Sequence, residues 1–436
     1  MSIFGTDGIR GHVGQFPIDP ESMVRLGHGI AKVLCKDRLK PKVLIGKDTR
    51  LSGYLLESAL EAGLIASGVD VLLTGPIPTP AVGYLTKAMR ADLGLVISAS
   101  HNPFTDNGIK FILPSGDKVS GQQTLDLEQY FHMQVQMKAG HAFGKATRVD
   151  GAVHRYVERC KSKLLFVPNL RRLKVVLDCA NGAAYQCAKL VFEELNADVV
   201  TIHDKPNGLN INDHCGATDV ASLVHKVLEV GADCGLAFDG DGDRLMMVDH
   251  KGQVFNGDDI LWCLSLNVMR YRQLEGCVKT VMSNGAMDEL FSKRGIACET
   301  VAVGDQHVMA RLKSKHWFLG AEPSGHILTL DASSMGDAII AGLLALETML
   351  LLEKPLCELR LPYRFQQVSG SLKLDQGINQ VELGKKIDRF ELSLAANIRS
   401  VIRPSGTEPK LRYLFEGDYN LIEIEKNFKA EFSGEI

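Results

Sequence analysis

Short apolar runs alternate with longer segments of helical periodicity along most of the chain. Apolar runs of four or five residues predict buried strands, and apolar positions three and four apart predict helices that pack on them. In the first part of the chain, this pattern predicts strands at 43–46, 69–73 and 93–97, with helices at 55–67 and 81–89. Such an alternation is typical of a doubly wound α/β unit.

The alternation begins again at Leu173 and a third time near Gly257. Three successive units of similar size predict a duplicated architecture, although no residue-level repeat is strong enough to prove it. The polar segment 122–161 is predicted to be helical and to separate the first two units. The apolar segment 338–352 is too short to span a bilayer, so we interpret it as a buried helix.

The pattern changes after Pro362. The stretch SVIRPSGTEPKLRYLFEG is predicted to form strands around a turn, and 421–432 to form an amphipathic helix. We therefore predict an α/β protein in which three similar α/β domains are followed by a smaller, C-terminal α+β domain. A length of 436 residues is too great for one hydrophobic core, which agrees with several domains.

Composition and charge narrow the classes of partner. A net charge of −3 argues against nucleic acid or an anionic membrane as the main partner. The ten cysteines include no C-x-x-C pair, which favours reduced thiols in a cytoplasmic protein over a disulfide framework or a zinc site. The first residues, MSIFGTDGIRG, lack the charged and apolar regions of an export signal, so we predict a cytoplasmic location.

The strand at 93–97 leads into the sequence SASHNP, which contains the first candidate site residue. Pro103 ends the strand pattern, so Ser100 is predicted to lie on a loop at the carboxyl end of a strand. Open α/β sheets bind their ligands at that edge. The alternative is an ordinary turn in which the hydroxyl bonds to nearby backbone groups.

An acidic loop, DGDGDR, follows the last predicted strand of the second unit. Asp239, Asp241 and Asp243 alternate with glycines, and hard carboxylate ligands in such a loop suit Mg²⁺. An EF-hand is excluded, because its sixth position would be Arg244 instead of glycine and its twelfth His250 instead of glutamate. A solvated acidic turn is the remaining alternative.

Two further loops carry groups that suit a sugar phosphate. In GAEPSGHI, the side chains of Glu322, Ser324 and His326 are spaced by two, so a strand-like edge would present them to sugar hydroxyls. The stretch RPSGTEPKLR offers guanidinium groups, hydroxyls and a glycine turn, which are the parts of a phosphate clamp. The clamp candidates are Arg403, Ser405, Gly406, Thr407 and Arg412.

Two basic loops are weaker candidates. FGTDGIRG carries Arg10, and GKDTRLSG carries Lys47 and Arg50. Each could be a structural turn, but we include Arg10 among the candidate catalytic residues.

The motifs SASHNP, DGDGDR, GAEPSGH and RPSGTEPKLR, in this order and spacing, resemble the four active-site loops of the α-D-phosphohexomutase superfamily. FGTDGIRG, GKDTRLSG, GPIPTPAV and DNGIKF are similar to its bacterial phosphoglucosamine mutase branch. The resemblance covers nearly the whole chain. It implies four domains around a central cleft, with bounds that we set at 1–153, 154–252, 253–363 and 364–436.

The resemblance also implies roles for individual residues. Ser100 would carry a phosphoryl group, with Lys110 beside it. The three aspartates and an oxygen of phospho-Ser100 would hold one Mg²⁺. Glu322 and Ser324 would bind sugar hydroxyls next to His326, and the clamp would hold the phosphate that is not reacting. Lys110 and His326 both remain candidates for proton transfer.

The implied reaction interconverts glucosamine 6-phosphate and glucosamine 1-phosphate through a bisphosphorylated sugar, with a sugar 1,6-bisphosphate as activator. It would feed UDP-N-acetylglucosamine and cell-wall synthesis, and a homodimer is compatible with it. The nearest alternative is a phosphomannomutase or phosphoglucomutase. A silent sugar-phosphate sensor would not need the serine and three aspartates, and a metal-dependent phosphatase would not need the clamp.

One departure from the branch concerns the substrate. Its members often have GDRYV where this chain has GDQHV, so Gln306 and His307 replace an arginine and a tyrosine. The change removes a positive charge near the sugar loop, which bears on substrate contacts more than on phosphoryl transfer.

Overall fold

The computed structural model of the chain describes residues 3–5, 8–36, 38–116, 119, 121–270, 272–374, 380–404, 410–417 and 420–432. These residues form three α/β units, each with its own sheet, followed by a smaller unit with a three-stranded sheet. The predicted fold class, three similar α/β domains before a C-terminal α+β domain, is confirmed.

The strands lie in four sheets. They are β1 (Ile9–His12), β2 (Lys42–Lys47), β3 (Asp70–Pro76), β4 (Leu93–Ile97), β5 (Asp106–Ile112), β6 (Ala146–Arg148), β7 (Lys174–Asp178), β8 (Asp198–Ile202), β9 (Cys234–Phe238), β10 (Leu245–Asp249), β11 (Val254–Phe255), β12 (Gly276–Thr280), β13 (Ala297–Val301), β14 (Leu319–Ala321), β15 (Ile327–Thr329), β16 (Gln367–Lys373), β17 (Arg399–Pro404) and β18 (Lys410–Glu416).

The α-helices connect the strands of the first three sheets and cover the fourth. They are α1 (Pro20–Val33), α2 (Ser52–Ala66), α3 (Thr79–Ala88), α4 (Gly121–Tyr130), α5 (Ala152–Lys161), α6 (Ala184–Glu194), α7 (Ala221–Val230), α8 (Gly257–Val268), α9 (Ala286–Ser292), α10 (Asp305–Lys315), α11 (Ala338–Leu352), α12 (Gln380–Ser393) and α13 (Leu421–Phe432).

Three of the sheets repeat one strand order. In each, a first strand lies between a second and a third strand that run parallel to it, and a fourth strand pairs antiparallel with the third. The four strands are β2 to β5, β7 to β10 and β12 to β15. The predicted duplication is therefore present in the topology, where sequence identity did not reveal it.

The hairpin between the third and fourth strands occupies the same place in each sheet. It carries SASHNP in the first sheet, DGDGDR in the second and EPSGH in the third. The fourth strand of the first sheet, β5, was not predicted, although it carries Lys110. The duplicated fold thus presents three different polar loops at one equivalent position.

The hydrophobic packing joins the second and third units. Helix α11 is apolar on all sides, and it packs against α8 and β10 in a core that both units share. Glu347 is buried in this helix, where it accepts hydrogen bonds from the amides of Leu165 and Phe166 at 2.8 Å. No helix in the described residues is long and apolar enough to cross a membrane.

The prediction of a helix over 122–161 was wrong for its middle part. Helix α4 ends at Tyr130, and an extended segment and strand β6 precede α5. In this segment Gly144 donates to the Ile65 carbonyl at 3.0 Å. A Cβ on Gly144 would lie 1.9 Å from the Val69 carbonyl oxygen, so glycine lets this segment pack closely on the chain that follows α2, and its amide bonds there and not within a helix.

The last unit contains more structure than the sequence pattern indicated. Strands β17 and β18 and helix α13 agree with the prediction, but β16 and α12 were not predicted. Strand β18 is the central strand, antiparallel to both neighbours, and its apolar face packs against both helices. Strand β16 shows a weak pattern because its exposed and half-buried positions include few large apolar residues.

Candidate active site

Ser100 lies in the hairpin between β4 and β5, where its backbone adopts a left-handed conformation with φ of +55°. Its amide donates to Ser98 Oγ at 2.9 Å, and Ser98 Oγ donates to Asp48 Oδ2 at 2.6 Å. Strand β4 is buried along its whole length, so the start of the loop is fixed. A non-glycine residue in this conformation persists where its surroundings impose it, as active sites often do.

Arg50 fixes the rest of the serine loop. Its side chain is fully buried, and its Nε donates to Asp48 Oδ2 at 2.8 Å. Its terminal nitrogens donate to four backbone carbonyls, those of Ser100 at 3.0 Å, Asn102 at 2.8 Å, Asp106 at 3.1 Å and Pro103. The sequence indicated only a basic loop here, because these contacts join residues more than 45 positions apart.

The second domain supports the same loop through an asparagine that sequence analysis missed. Asn212 Nδ2 donates to the Ser100 carbonyl at 2.9 Å and to the Asn102 carbonyl at 3.2 Å. The stretch NINDHC around it carries no signal of this role, since the partners belong to another domain.

The three aspartates of the acidic loop converge after β9. One carboxylate oxygen from each of Asp239, Asp241 and Asp243 lies within 4.8 Å of the others. Asp239 and Asp241 are fully buried. Asp239 Oδ2 accepts a hydrogen bond from Ser100 Oγ at 2.8 Å, so the loops of the first two domains meet at the serine hydroxyl. The predicted grouping of these four residues is what the geometry shows.

Two glycines permit this approach. Gly242 has a φ of +72°, a conformation that glycine adopts without strain. A Cβ on Gly240 would lie 2.5 Å from the Ser100 carbonyl oxygen, so only glycine allows the two loops to come this close.

Lys110 completes the centre of the site. It lies on β5, and its Nζ donates to Asp241 Oδ2 at 2.5 Å and to Asp243 Oδ2 at 3.0 Å. Burial opposes its charge, but the two carboxylates outweigh burial and raise the pKa of Lys110. The lysine is therefore a largely buried cation bound to the acidic loop that also contacts Ser100.

The acidic loop fits a divalent cation. Burial raises the pKa of Asp239 to about 8, and the charges of Asp243 and Asp241 add to this effect. Asp241 Oδ1 is buried and has no hydrogen-bond partner within the described residues. Crowded, buried carboxylates with an unused oxygen are the ligand type that hard cations stabilise. The three aspartates could therefore hold a metal ion.

The third loop is a turn, and not the strand-like edge that the spacing predicted. Gly325, with φ of +91°, donates to the Glu322 carbonyl at 3.0 Å, so the backbone between 322 and 326 is turned and not extended. Glu322 Oε1 accepts from the Gly304 amide at 3.0 Å. His326 Nδ1 lies 3.8 Å from Asp243 Oδ1. His326 therefore lies on the side of the loop that faces the three aspartates, whereas Ser324 is exposed.

The imidazole of His326 is in an acidic environment. Burial would lower its pKa, but the neighbouring Asp243 and the charges of Asp305 and Glu322 raise the pKa of His326 to about 9. His326 Nε2 lies 3.9 Å from Asp305 Oδ2. The ring therefore connects the acidic loop with the start of α10.

The departure at Gln306 and His307 lies next to the sugar loop. Both residues are in the first turn of α10, a helix that begins directly after Gly304. The Gly304 amide binds Glu322. His307 is exposed and Gln306 is half-buried. The two residues are thus positioned where they can affect the ligand contacts of Glu322.

The clamp arginines face each other in the last domain. Arg403 on β17 and Arg412 on β18 are directly opposite in the antiparallel register. Burial lowers the pKa of Arg403, Arg412 lowers it further and Glu322 raises it. Like charges directly opposite destabilise a sheet, so the pair favours a bound anion. Ser405, Gly406 and Thr407, predicted for the same clamp, lie outside the described residues.

The two basic loops differ. Arg10 lies on β1 opposite Gly108 of β5, and its charge acts on His101 and Lys110, which places it near the serine loop. Lys47 is instead buried away from the serine. It forms an ion pair with Glu57 and lies 3.6 Å from the centre of the Tyr54 ring.

Comparison with known protein families gives matches over most of the chain. The matching models describe the three alpha/beta/alpha domains and the C-terminal domain of phosphoglucomutase/phosphomannomutase. Domain I matches residues 1–137, domain II 154–252, domain III 256–364 and the C-terminal domain 371–431. All four polar loops described above lie inside these matches.

Curated relatives are similar over nearly their full length. The phosphoglucosamine mutase of Polynucleobacter asymbioticus is 51% identical over 423 residues, which covers 95% of this chain and 94% of the relative. That of Aeromonas salmonicida is 45% identical over 421 residues, with 95% of each chain covered.

Solved structures share the fold. A phosphoglucomutase/phosphomannomutase family protein from Burkholderia thailandensis has a TM-score of 0.83 at 26% identity and covers 99% of this chain and 97% of its own. Aspergillus fumigatus N-acetylphosphoglucosamine mutase, in complex with GlcNAc-6P and magnesium, has a TM-score of 0.67 at 14% identity, covering 98% and 95%. The chain therefore belongs to the phosphoglucomutase/phosphomannomutase family and, within it, to the phosphoglucosamine mutases.

Proposed function

We propose that the chain interconverts glucosamine 6-phosphate and glucosamine 1-phosphate with Ser100 as the phosphoryl carrier. The observation that carries this proposal is the contact of Ser100 Oγ with Asp239 at 2.8 Å, beside Lys110. A hydroxyl bonded to one of three clustered carboxylates, two of which bind a lysine, is a position for phosphoryl transfer. The product would feed UDP-N-acetylglucosamine and cell-wall synthesis.

The proposed reaction has two transfers. In the first, the bond between phosphorus and Ser100 Oγ breaks and a bond to the free hydroxyl of the sugar phosphate forms, which gives a bisphosphate. The sugar hydroxyl loses a proton and Ser100 Oγ gains one as its bond to phosphorus breaks, and Lys110 and His326 are both candidates by position for these proton transfers. The bisphosphate then turns over, and its other phosphate is transferred to Ser100.

The remaining groups bind and orient. Arg403 and Arg412 would hold the phosphate that is not reacting, and a clamp for a dianion accepts either end of the sugar. Glu322 and Ser324 would contact the sugar. Mg²⁺ held by Asp239, Asp241 and Asp243 with an oxygen of phospho-Ser100 would neutralise charge on the transferred group. A sugar 1,6-bisphosphate would load the serine.

The assignment of glucosamine phosphates is tested by turnover. The purified chain, with a sugar 1,6-bisphosphate present, is assayed on glucosamine, glucose and mannose phosphates. We expect the highest kcat/KM for the glucosamine phosphate. A preference for glucose or mannose phosphate would instead assign a phosphoglucomutase or phosphomannomutase.

The domain bounds 1–153, 154–252, 253–363 and 364–436 remain a proposal, as do a homodimer and a cytoplasmic location. The bounds agree with the sheets except at one point, since the strands of each sheet fall in one interval apart from β11 (Val254–Phe255), which follows residue 252 and pairs with β10 in the second sheet. A cytoplasmic location agrees with ten free cysteines, eight of which are buried.

Asp241→Asn is expected to weaken Mg²⁺ binding and to slow turnover, with partial rescue at high Mg²⁺ concentration. The variant loses one anionic ligand for an ion that sheds water reluctantly. Asp249→Asn is the matched control, because Asp249 is buried at the end of β10 in the same sheet and its carboxylate accepts from the Lys251 and Gln253 amides of its own turn. The measurement is turnover against Mg²⁺ concentration. Full activity of the wild type in excess chelator would contradict the metal assignment.

Arg412→Ala and Glu322→Ala are expected to have separable effects. Loss of a charge-assisted phosphate contact costs about 1.5–3 kcal/mol, so Arg412→Ala should lower kcat/KM roughly 10–150-fold for every sugar phosphate. Glu322→Ala should change the ratio between glucosamine and glucose phosphates, since a carboxylate favours a 2-amino group over a hydroxyl. Arg412→Lys is the control that keeps the charge. An altered sugar preference in Arg412→Ala alone would reverse the two assignments.

A further inference from the structure

A second cluster of metal-ligating side chains lies in the second domain, apart from the acidic loop. Asp178 ends β7, His203 follows β8, and Cys215 precedes the 3-10 segment Gly216–Thr218. One ligand atom from each residue lies within 4.8 Å of the other two. His203 Nδ1 and Asp178 Oδ1 are 3.0 Å apart. Three residues distant in sequence thus bring a carboxylate, an imidazole and a thiol to one point.

We propose that Asp178, His203 and Cys215 bind a transition-metal ion with the ligand preferences of Zn²⁺. Sulfur, nitrogen and carboxylate oxygen are its usual ligands, whereas Mg²⁺ prefers oxygen alone. Metal–ligand distances of about 2.0–2.3 Å place tetrahedral ligand atoms roughly 3.3–3.8 Å apart, so small side-chain rotations would complete the set. The scattered cysteines gave no sign of this site, because its ligands are separated by 25 and 12 positions.

The carboxylate of the cluster is already oriented by backbone groups. Asp178 Oδ1 accepts from the Ala180 amide and Oδ2 from the Gly216 amide, both at 2.9 Å. Hydrogen bonds of this kind hold a metal ligand in place. Asp178 Oδ1 also contacts His203 Nδ1 at 3.0 Å, a contact that an ion between the two groups would replace, and Oδ2 keeps one acceptor position.

Burial and charge at the cluster also fit a cation. Asp178 and Cys215 are fully buried, while the His203 side chain is 28% exposed, so solvent reaches the cluster on its imidazole side. The charges of Asp178, Asp213 and Asp219 act on the Cys215 thiol. The same negative surroundings that disfavour a thiolate attract a divalent cation, which would stabilise the thiolate.

A metal at this point would stabilise the loop that supports the serine. The segment from His203 to Cys215 contains Asn212, whose side chain donates to the Ser100 carbonyl at 2.9 Å. The Asn212 amide also donates to the Ala180 carbonyl at 2.9 Å, next to the cluster. Joining both ends of this segment through one ion would therefore reduce the mobility of Asn212. The role is structural and does not depend on which sugar phosphate is turned over.

The experiment uses Co²⁺ as the probe on the full-length chain, treated with chelator and kept in excess Mg²⁺ to occupy oxygen sites. We expect one equivalent of Co²⁺ to give a thiolate-to-cobalt charge-transfer band in the near ultraviolet. Cys215→Ser should abolish the band, and His203→Asn should weaken Co²⁺ binding by at least roughly 10–100-fold. Cys357→Ser, which removes a half-buried thiol of the third domain, is the matched control and should retain it.

Two results would overturn the proposal. One is a wild-type protein that gives no thiolate band, and the other is an unchanged band in Cys215→Ser. Because His203 is partly exposed, His203→Asn should fold even if Cys215→Ser does not. Unchanged Co²⁺ affinity in His203→Asn would also overturn the proposal. Zn²⁺ should raise the Tm of the wild type and of Cys357→Ser but not that of His203→Asn.

Discussion

Ser100→Ala is expected to lose mutase activity by on the order of 10³-fold or more while the chain remains folded. The variant lacks the only protein atom that is phosphorylated in the proposed mechanism. Its fold should persist, because the loop backbone is held by Arg50 and Asn212 through carbonyl groups and not through the serine hydroxyl. The measurements are turnover, intact mass and Tm.

Ser98→Ala is the matched control for this variant. Ser98 Oγ binds the Ser100 amide and Asp48, so its loss should disturb the loop and reduce turnover without removing the carrier. Peptide mass spectrometry should still find phosphate on Ser100 in the control. Activity near that of the wild type in Ser100→Ala would refute the role of the serine.

Arg50→Met is expected to lower stability by about 3–5 kcal/mol and to abolish turnover in the molecules that still fold. It leaves the buried Asp48 without its charged partner, and breaking a buried ion pair costs this amount. It also removes the donor to the carbonyls of Ser100 and Asn102, so the loop loses its fixed position. The Tm and the turnover of the remaining folded protein measure the two effects.

Lys47→Met is the control that distinguishes a loss of protein stability from a loss of the serine loop's fixed position. Lys47 is nearly as buried as Arg50 and is paired with Glu57, and among the described residues its side chain forms no hydrogen bond with the serine loop. This variant should also have a lower Tm, whereas its folded fraction should keep near-normal turnover. Equal loss of turnover per folded molecule in both variants would show that Arg50 does not act by positioning the loop.

The sequence predicted the fold class and the alternating elements, because short buried strands and amphipathic helices leave a strong local pattern. It predicted the residues of the acidic loop because they alternate with glycines directly after a buried strand. It did not predict β5, whose alternation is interrupted by glycine and asparagine, or the extended segment before α5. It also identified Asp239, Asp241 and Asp243 but not Arg50 and Asn212 as supports of Ser100. Those two roles depend on backbone carbonyls of distant residues, which no side-chain pattern reveals.

The spacing argument failed for Glu322, Ser324 and His326 because it assumed an extended backbone. Gly325 in the left-handed region turns the chain between them, so residues two apart no longer share a face. The glycine was visible in the sequence as a turn signal. The sequence did not show that this turn signal outweighs the strand pattern, and the hydrogen bond that closes the turn shows that it does.

The repeated hairpins have a consequence for the order in which the chain matures during synthesis. Strands β2 to β5 lie between residues 42 and 112, so the first sheet can form before the second has been translated. The bond between Ser100 and Asp239, however, joins residues 139 positions apart. A ribosome-bound chain that ends before β9 is therefore expected to carry a formed serine loop that has no partner for its hydroxyl. Reactivity is acquired only when the second domain folds and docks, well after the residue that reacts has been placed.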